Sequence, residues 1–452
     1  MSLSGTPVPG WRTVKLLIRA SVNTRAAPQR ALVAACAGNL VEWYDFAIFG
    51  AFATIIADTY FPSEDATASL LATFAVFATA FLFRPVGAVL FGRRGDRLGR
   101  RRVLAFVIIL MSLATTGIAL LPGHASIGLV APVLLIVLRA AQGVSVGGEA
   151  SGASAFVVEY APAGRRGRYG AWLWATVALG LGVGVGAAAV LALLLPRGVL
   201  EAWGWRLAFL AALPLGLTGL YLRLRLDETP TFRDVQQARA LAARPVTRTL
   251  RAYPGRVTIG FGLVAAASLT FNTFFIFLPS HLVSALHVPQ SRIFGAALLG
   301  LALVTAASPA LGQLSDRIGR KPLLAAGTLA LLALTLPAYL LICRGGPVGL
   351  LFGYLLVGSA LSCMVLPSFL SELFPTPVRS TGLAVTYGLA SALFGGTAPF
   401  LATLLVQRTG NLLVPAYYAT AVTLAAAIGA LLARETAFQP LDAAEVATHA
   451  AA

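Results

Sequence analysis

Gly92-Arg-Arg-Gly-Asp96-Arg97-Leu-Gly99-Arg100-Arg101 recurs as Gly312-Gln-Leu-Ser-Asp316-Arg317-Ile-Gly319-Arg320-Lys321. Each copy is a short basic loop between two long apolar runs. One membrane-embedded half is therefore written twice in the same orientation. Parallel repeats of this kind place a binding site between the halves, near the bilayer midplane. A second motif repeats as well: Glu159, Pro162 and Arg166 return as Glu372, Pro375 and Arg379.

Composition puts the chain in a bilayer. Its 452 residues are 58% hydrophobic and 11% charged, against about 25% charged in soluble domains. About 20 apolar residues cross the hydrocarbon core. Twelve runs of that kind fall near 31–57, 67–91, 103–121, 129–159, 169–194, 205–225, 257–284, 293–314, 322–343, 347–373, 380–405 and 412–433. The fold class is all-α: twelve transmembrane helices in two pseudo-symmetric six-helix bundles. Residues 1–30 form an N-terminal segment, 31–225 the first bundle, 226–256 a polar linker, 257–433 the second bundle and 434–452 a tail. The run 129–159 is long enough to tilt or to project beyond the membrane. The Gly-rich stretch 180–186 stays helical in lipid and lets neighbouring helices approach closely.

A net charge of +17 invites a nucleic-acid partner, but its placement argues against one. Of the Lys and Arg residues, Arg197, Arg206, Arg292, Arg344 and Arg408 fall on the side opposite residue 1, and Arg84 and Arg139 fall inside helices. All the others lie on the side of residue 1. That bias places both termini in the cytoplasm. Residues 1–30 carry five basic residues and no apolar core of the length a signal peptide needs. Cys36, Cys343 and Cys363 lie in or beside apolar runs and read as buried thiols. The four histidines do not cluster, so nothing suggests a metal site, a cofactor or an enzyme. The tail after Arg434 has no heptad pattern. The expected setting is a bacterial plasma membrane, with the chain working as a monomer on a proton gradient.

Ionisable groups inside a membrane are costly and mark function. Five are placed there: Glu42 and Asp45 in the first helix, Arg84 in the second, Arg139 and Glu149 in the fourth. The second half has none away from helix ends. Counted at about 1.5 Å per residue, Glu42, Arg84 and Glu149 share a level near midplane, with Asp45 between them and Arg139. Glu42 and Asp45, at i and i+3, share one helix face. Three acids against two bases leave one carboxylate without a cation. Desolvation favours the protonated acid, the property a proton carrier needs. Glu42, Asp45 and Glu149 are the candidates, and the sequence does not choose among them.

Aromatic residues accompany these charges: Trp43, Tyr44, Phe46 and Phe49 in the first helix, Trp172 and Trp174 in the fifth, Phe271, Phe274, Phe275 and Phe277 in the seventh, Tyr387 in the eleventh. Aromatic rings beside a carboxylate cage a quaternary ammonium. At the cytoplasmic face, Gly92, Asp96, Arg97, Gly99, Arg100, Glu159 and Arg166, with Asp316, Arg317, Arg320, Glu372 and Arg379, form a candidate gate. Glu159 is expected to meet Arg97 or Arg100, and Glu372 to meet Arg317 or Arg320. Such a latch breaks when the halves rock.

The loop Gly-x-x-x-Asp-Arg-x-Gly-Arg-Arg resembles the signature of the major facilitator superfamily. Gly38-Asn39-Leu-Val-Glu42-Trp43-Tyr44-Asp45-Phe46, Arg84-Pro85-Val-Gly87, Gln142-Gly143-Val-Ser-Val-Gly147-Gly148-Glu149 and Phe394-Gly395-Gly396-Thr397-Ala398-Pro399 resemble motifs of its metabolite:proton symporters. Within that family the likeness leans toward proline/betaine transporters, carried by Gly148–Pro162, Ala212–Arg223, Glu228–Phe232 and Asn411–Tyr418. Phe49 stands where many members carry Tyr, and Gly388 where many carry Asn. The coiled-coil tail of some osmosensing members has no counterpart here. The resemblance implies alternating access and proton-coupled uptake of a small metabolite. Charge points the same way: a di- or tricarboxylate needs several cations, and this chain offers two. A zwitterion needs one cation for its carboxylate, Arg84 or Arg139. Its ammonium needs an acidic aromatic site such as Glu42 or Asp45 with Trp43 and Tyr44; Phe274 and Tyr387 are further candidates for contact. The alternatives are symport of an organic acid of the α-ketoglutarate, citrate or shikimate type and, behind it, drug efflux.

Overall fold

The computed structural model describes residues 35–88, 90–91, 100–147, 150–162, 164–224, 250–286, 288–375 and 378–439, with Gln29, Leu32 and Val33. The basic loop residues Gly92, Asp96, Arg97 and Gly99, the carboxylate candidate Glu149, most of the linker and the last residues of the tail lie outside that set, as does the side chain of Arg100. No strand occurs among the described residues.

Twelve helical positions follow in order. α1 is the bent pair Ala35–Ala51 and Ala53–Tyr60, turned by 67° at Phe52. Then come α2 (Ala66–Ala88), α3 (Arg100–Leu120), α4 (Val130–Gly147, followed by Ala150–Tyr160), α5 (Arg166–Leu194) and α6 (Arg206–Tyr221). The second half holds α7 (Pro254–Ser284), α8 (Gln290–Ile318), α9 (Arg320–Arg344), α10 (Gly346–Leu373), α11 (Thr381–Thr409) and α12 (Val414–Leu432). Among the described residues, ten of the twelve, counting the bent pair, are long and apolar enough to cross a bilayer; the apolar parts of α3 and α6 are shorter.

Large apolar side chains face outward along α3 (Phe106, Ile109, Leu113), α6 (Leu217, Tyr221) and α12 (Leu424, Ile428, Leu431). Those faces meet lipid, where exposed Leu and Ile carry no cost. The interior is formed by α7 above all: 83% of its most apolar window is buried, against 39% for α9 and α12. Irregular turns concentrate in the helices around this interior. α7 contains a π-helical turn at Thr273–Phe277, α10 is broken between Ser362 and Leu366, and α11 carries π turns at Ala384–Leu389 and Ser391–Gly396. Non-helical backbone at this depth survives only where protein covers it, and π turns recur at functional sites.

Glycine sets the closest helix contacts. A Cβ at Gly143 in α4 would lie 2.1 Å from the Ala80 carbonyl oxygen of α2, and one at Gly147 would lie 1.9 Å from that of Arg84. In α5, Gly180 and Gly184 face Leu40 and Ala47 of α1, while Gly182 and Gly186 face Leu301 and Leu298 of α8. The Gly-rich stretch thus threads α5 between the halves. Gly143→Ala should cost about 1–3 kcal/mol of stability by overpacking against backbone. Gly295→Ala, which has no atom within 4 Å of the added carbon, should not. Thermal melts of the detergent-solubilised variants compare the two.

Candidate functional site

The two acids of α1 sit one turn apart and meet two different cations. Arg84 Nη2 of α2 donates to Glu42 Oε1 at 2.9 Å. Arg139 Nη1 of α4 donates to Asp45 Oδ2 at 2.8 Å and to Gln142 Oε1 at 2.8 Å. Gln142 Nε2 and the Thr115 hydroxyl of α3 donate to Asp45 Oδ1 at 2.7 and 2.8 Å. Asp45 is 1% exposed and Arg139 is fully buried. The order in depth expected from helical rise therefore becomes a pairing: Glu42 with Arg84, Asp45 with Arg139.

Phenyl rings enclose both guanidinium groups. Arg84 lies over Phe46 and Phe81, at 5.2 and 4.1 Å, and Arg139 over Phe46, Phe49 and Phe77, at 5.2, 4.3 and 5.4 Å. Arg139 Nε and Nη2 have no hydrogen-bond acceptor among the described residues. The ring faces take that place, since a desolvated cation–π contact is worth about 2 kcal/mol. Phe49 is one of these rings. Thr115 escaped the sequence reading, and Gln142 entered it only within a motif, with no role assigned. Gln142 could have been found, because it follows Arg139 by three positions on one helix face.

On the basic side of this centre a cleft opens between the halves. Asn39 and Glu42 of α1, Trp174 of α5, Leu366 and Pro367 of α10 and Tyr387 of α11 line it. Tyr387 stands beside Arg84 and Glu42, the contribution of the second half to the ion pair. Trp43 instead packs on Phe46 and Phe271. Tyr44 points to α6, where its hydroxyl donates to the Ala208 carbonyl at 2.7 Å. Phe274 sits in the second half against Tyr339. Trp172 is 39% exposed, whereas Trp174 is buried and its indole N–H donates to the Leu361 carbonyl of α10 at 3.0 Å.

Below the cleft the basic end is closed by contacts that cross between halves. Asp316, at the end of α8, accepts from the backbone N–H groups of Gly167 and Arg168 at 2.7 and 3.0 Å, so its charge caps the first turn of α5. Arg320 pairs with Asp316 at 2.9 Å and forks onto Glu372 at 3.0 and 3.1 Å. Of the two expected partners of Glu372, Arg320 takes the role, and Arg317 is exposed. The described partner of Glu159 is Arg379, from the opposite half, at 2.5 Å. Arg166 reaches the Gln439 carbonyl at 3.1 Å, and Ser368 donates to the Arg166 carbonyl at 3.0 Å. At the opposite end Ser280 of α7 donates to the Gly50 carbonyl of α1 at 3.1 Å. Both ends of the pathway are thus bridged.

Glu435 fastens the chain after α12 to this network. Its carboxylate accepts from the N–H groups of Arg320 and Lys321, the first residues of α9, at 2.8 and 3.1 Å. Burial pushes its pKa up, but four backbone N–H groups outweigh that and hold it below the usual carboxylate range. A depressed pKa adds stability above the unfolded value, lost as pH falls through the folded one. Glu435→Ala should therefore lower the melting temperature near neutral pH and matter less in acid, which melts across that range test.

Two six-helix repeats closed over buried ion pairs define a secondary carrier. The chain belongs to the Major Facilitator Superfamily, whose sequence profile matches residues 35–394. It is 38% identical to the glycine betaine/proline/ectoine/pipecolic acid transporter OusA of Dickeya dadantii, over 92% of this chain and 85% of that protein. It is 36% identical to the proline/betaine transporter of Escherichia coli K12, with the same coverage. Among solved structures, the proton:xylose symporter XylE bound to 6-bromo-6-deoxy-D-glucose matches with a TM-score of 0.77 at 16% identity, covering 94% of this chain and 99% of that one. The inward open conformation of XylE from E. coli matches at 0.71 and 19%, covering 92% and 98%. These structures share the fold.

Proposed function

We propose that the chain is a proton-coupled symporter that imports a small zwitterion of the proline or glycine betaine type. It works by alternating access in a bacterial plasma membrane, with both termini in the cytoplasm. The observation that carries this reading is the pair of ion pairs one turn apart on α1. Asp45, held by Arg139, Gln142 and Thr115 out of reach of the cleft, is the proton site. Protonation removes its charge and releases its hold on Arg139. Glu42 and Tyr387, which line the cleft, form the substrate site together with Arg84, the partner of Glu42. The substrate carboxylate competes with Glu42 for Arg84, and the substrate ammonium takes the place of Arg84 beside Glu42. Phe46, stacked against both guanidinium groups, links the two events.

The charge inventory supports a zwitterion: Arg139 is committed to Asp45 and Gln142, which leaves Arg84, paired with the cleft-lining Glu42, for a single substrate carboxylate. The substrates in the relatives' names, glycine betaine, proline, ectoine and pipecolic acid, support it too: each joins a carboxylate to a cationic nitrogen. The test is uptake into proteoliposomes under an imposed inward proton gradient, with labelled glycine betaine compared to labelled α-ketoglutarate. Gradient-dependent accumulation of betaine is expected. Accumulation of α-ketoglutarate alone would overturn the proposal and turn Arg84 and Arg139 into a dicarboxylate clamp.

A further inference from the structure

The zwitterion reading leaves open what recognises the cationic nitrogen, and the cleft supplies an answer in Trp174. Tyr44 is committed to α6 and Trp43 is enclosed by Phe46 and Phe271, so neither of these neighbours of Glu42 borders the cleft. Trp174 does. Its N–H is already spent on Leu361, and its ring leans on Phe271 at 6.1 Å between centroids. The indole is fixed and has no spare donor, so it offers a substrate only its ring. An aromatic ring attracts a cation, not a carboxylate. The remaining wall, with Val177, Leu366, Pro367 and Leu370, is apolar and suits methyl groups.

We infer that Trp174, with Tyr387 and the Glu42 carboxylate, forms the subsite for the substituted ammonium of the substrate. This assignment rests on the zwitterion reading above. Because the Trp174–Leu361 bond also spans the two halves, an ammonium held there leans on a side chain that ties the halves together. Trp174 is thus a specificity residue placed at the closing seam.

The test is equilibrium binding of labelled glycine betaine to the purified protein. The competitors are proline and 3,3-dimethylbutyrate, which copies the shape of betaine with carbon in place of nitrogen. Wild-type protein should prefer betaine to this isostere, which keeps the carboxylate but lacks the cation, by at least about tenfold, and Trp174→Leu should lose about 30-fold in betaine affinity, the scale of a desolvated cation–π contact. Its affinity for the isostere should barely move. Trp174→Phe, which keeps a ring and drops the N–H, should stay within about threefold of wild type. Tyr387→Leu should shift the same preference in the same direction and serves if Trp174→Leu does not elute as a single species. Unchanged betaine affinity in the leucine variants, or equal losses for betaine and isostere, would overturn the assignment. Wild-type protein that bound α-ketoglutarate and neither betaine nor proline would overturn the reading of function itself, before any variant is compared.

Discussion

Asp45→Asn is expected to abolish proton-driven accumulation while leaving exchange of labelled for unlabelled substrate measurable. The amide matches the carboxylate in shape but cannot take up and release a proton. It also has one acceptor oxygen where the carboxylate uses both: Oδ2 for Arg139, and Oδ1 for Gln142 and Thr115. Arg139 is then left buried without its counter-charge, and removing one partner of such a pair costs about 3–5 kcal/mol. The variant should therefore melt lower as well as lose accumulation. Asp45→Asn with Arg139→Gln should recover part of the stability but none of the accumulation. Counterflow and gradient-driven uptake in the same proteoliposomes separate the two effects. Normal accumulation by Asp45→Asn would remove Asp45 from proton coupling.

Arg320→Ala is the second large effect. This side chain is 1% exposed and answers two carboxylates, Asp316 and Glu372. Its removal takes from both the cation they share among the described residues, a loss on the order of 3–5 kcal/mol. It also frees Asp316, which crosses to the first turn of α5, so the basic end should open more often. Arg320→Lys should rescue only in part, because an ammonium cannot fork onto Glu372 as a guanidinium does. Melting temperature and thiol labelling of a cysteine placed at Ser368 report both consequences. A melt and labelling rate equal to wild type would mean that this network does not hold the end shut.

Much of this architecture is legible in the sequence because lipid imposes simple rules. Apolar length, the repeated basic loop and the side on which Arg accumulates each follow from the cost of moving charge or bare backbone into hydrocarbon. The same cost singled out Glu42, Asp45, Arg84 and Arg139. Helical rise converts residue number into height, so their depth order was legible, but at one level it left Arg84 with either Glu42 or Glu149. The gate was legible only in part. Glu372 and Arg320 pair within one half as expected; the expected partners of Glu159, Arg97 and Arg100, lie outside the described side chains, and Glu159 has a further partner, Arg379, across the interface that the sequence did not suggest. Repeat symmetry matches residues between halves and says nothing about which half a side chain leans toward.

Aromatic residues were the least legible. Trp43, Tyr44, Trp174 and Phe274 look alike in sequence, each apolar and each in a helix. One packs on rings, one bonds to α6, one borders the cleft and one belongs to the second bundle. Helix rotation and the close approach of α5 to α1 through Gly180 and Gly184 decide among those fates. The sequence by itself determined the class of protein, the two-fold repeat and four of the costly charges, Glu42, Asp45, Arg84 and Arg139, because bilayer energetics acts on each segment independently. Only the tertiary structure decided which acid meets which base and which ring meets the cleft, because those contacts join residues far apart in the chain through packing that no local pattern records.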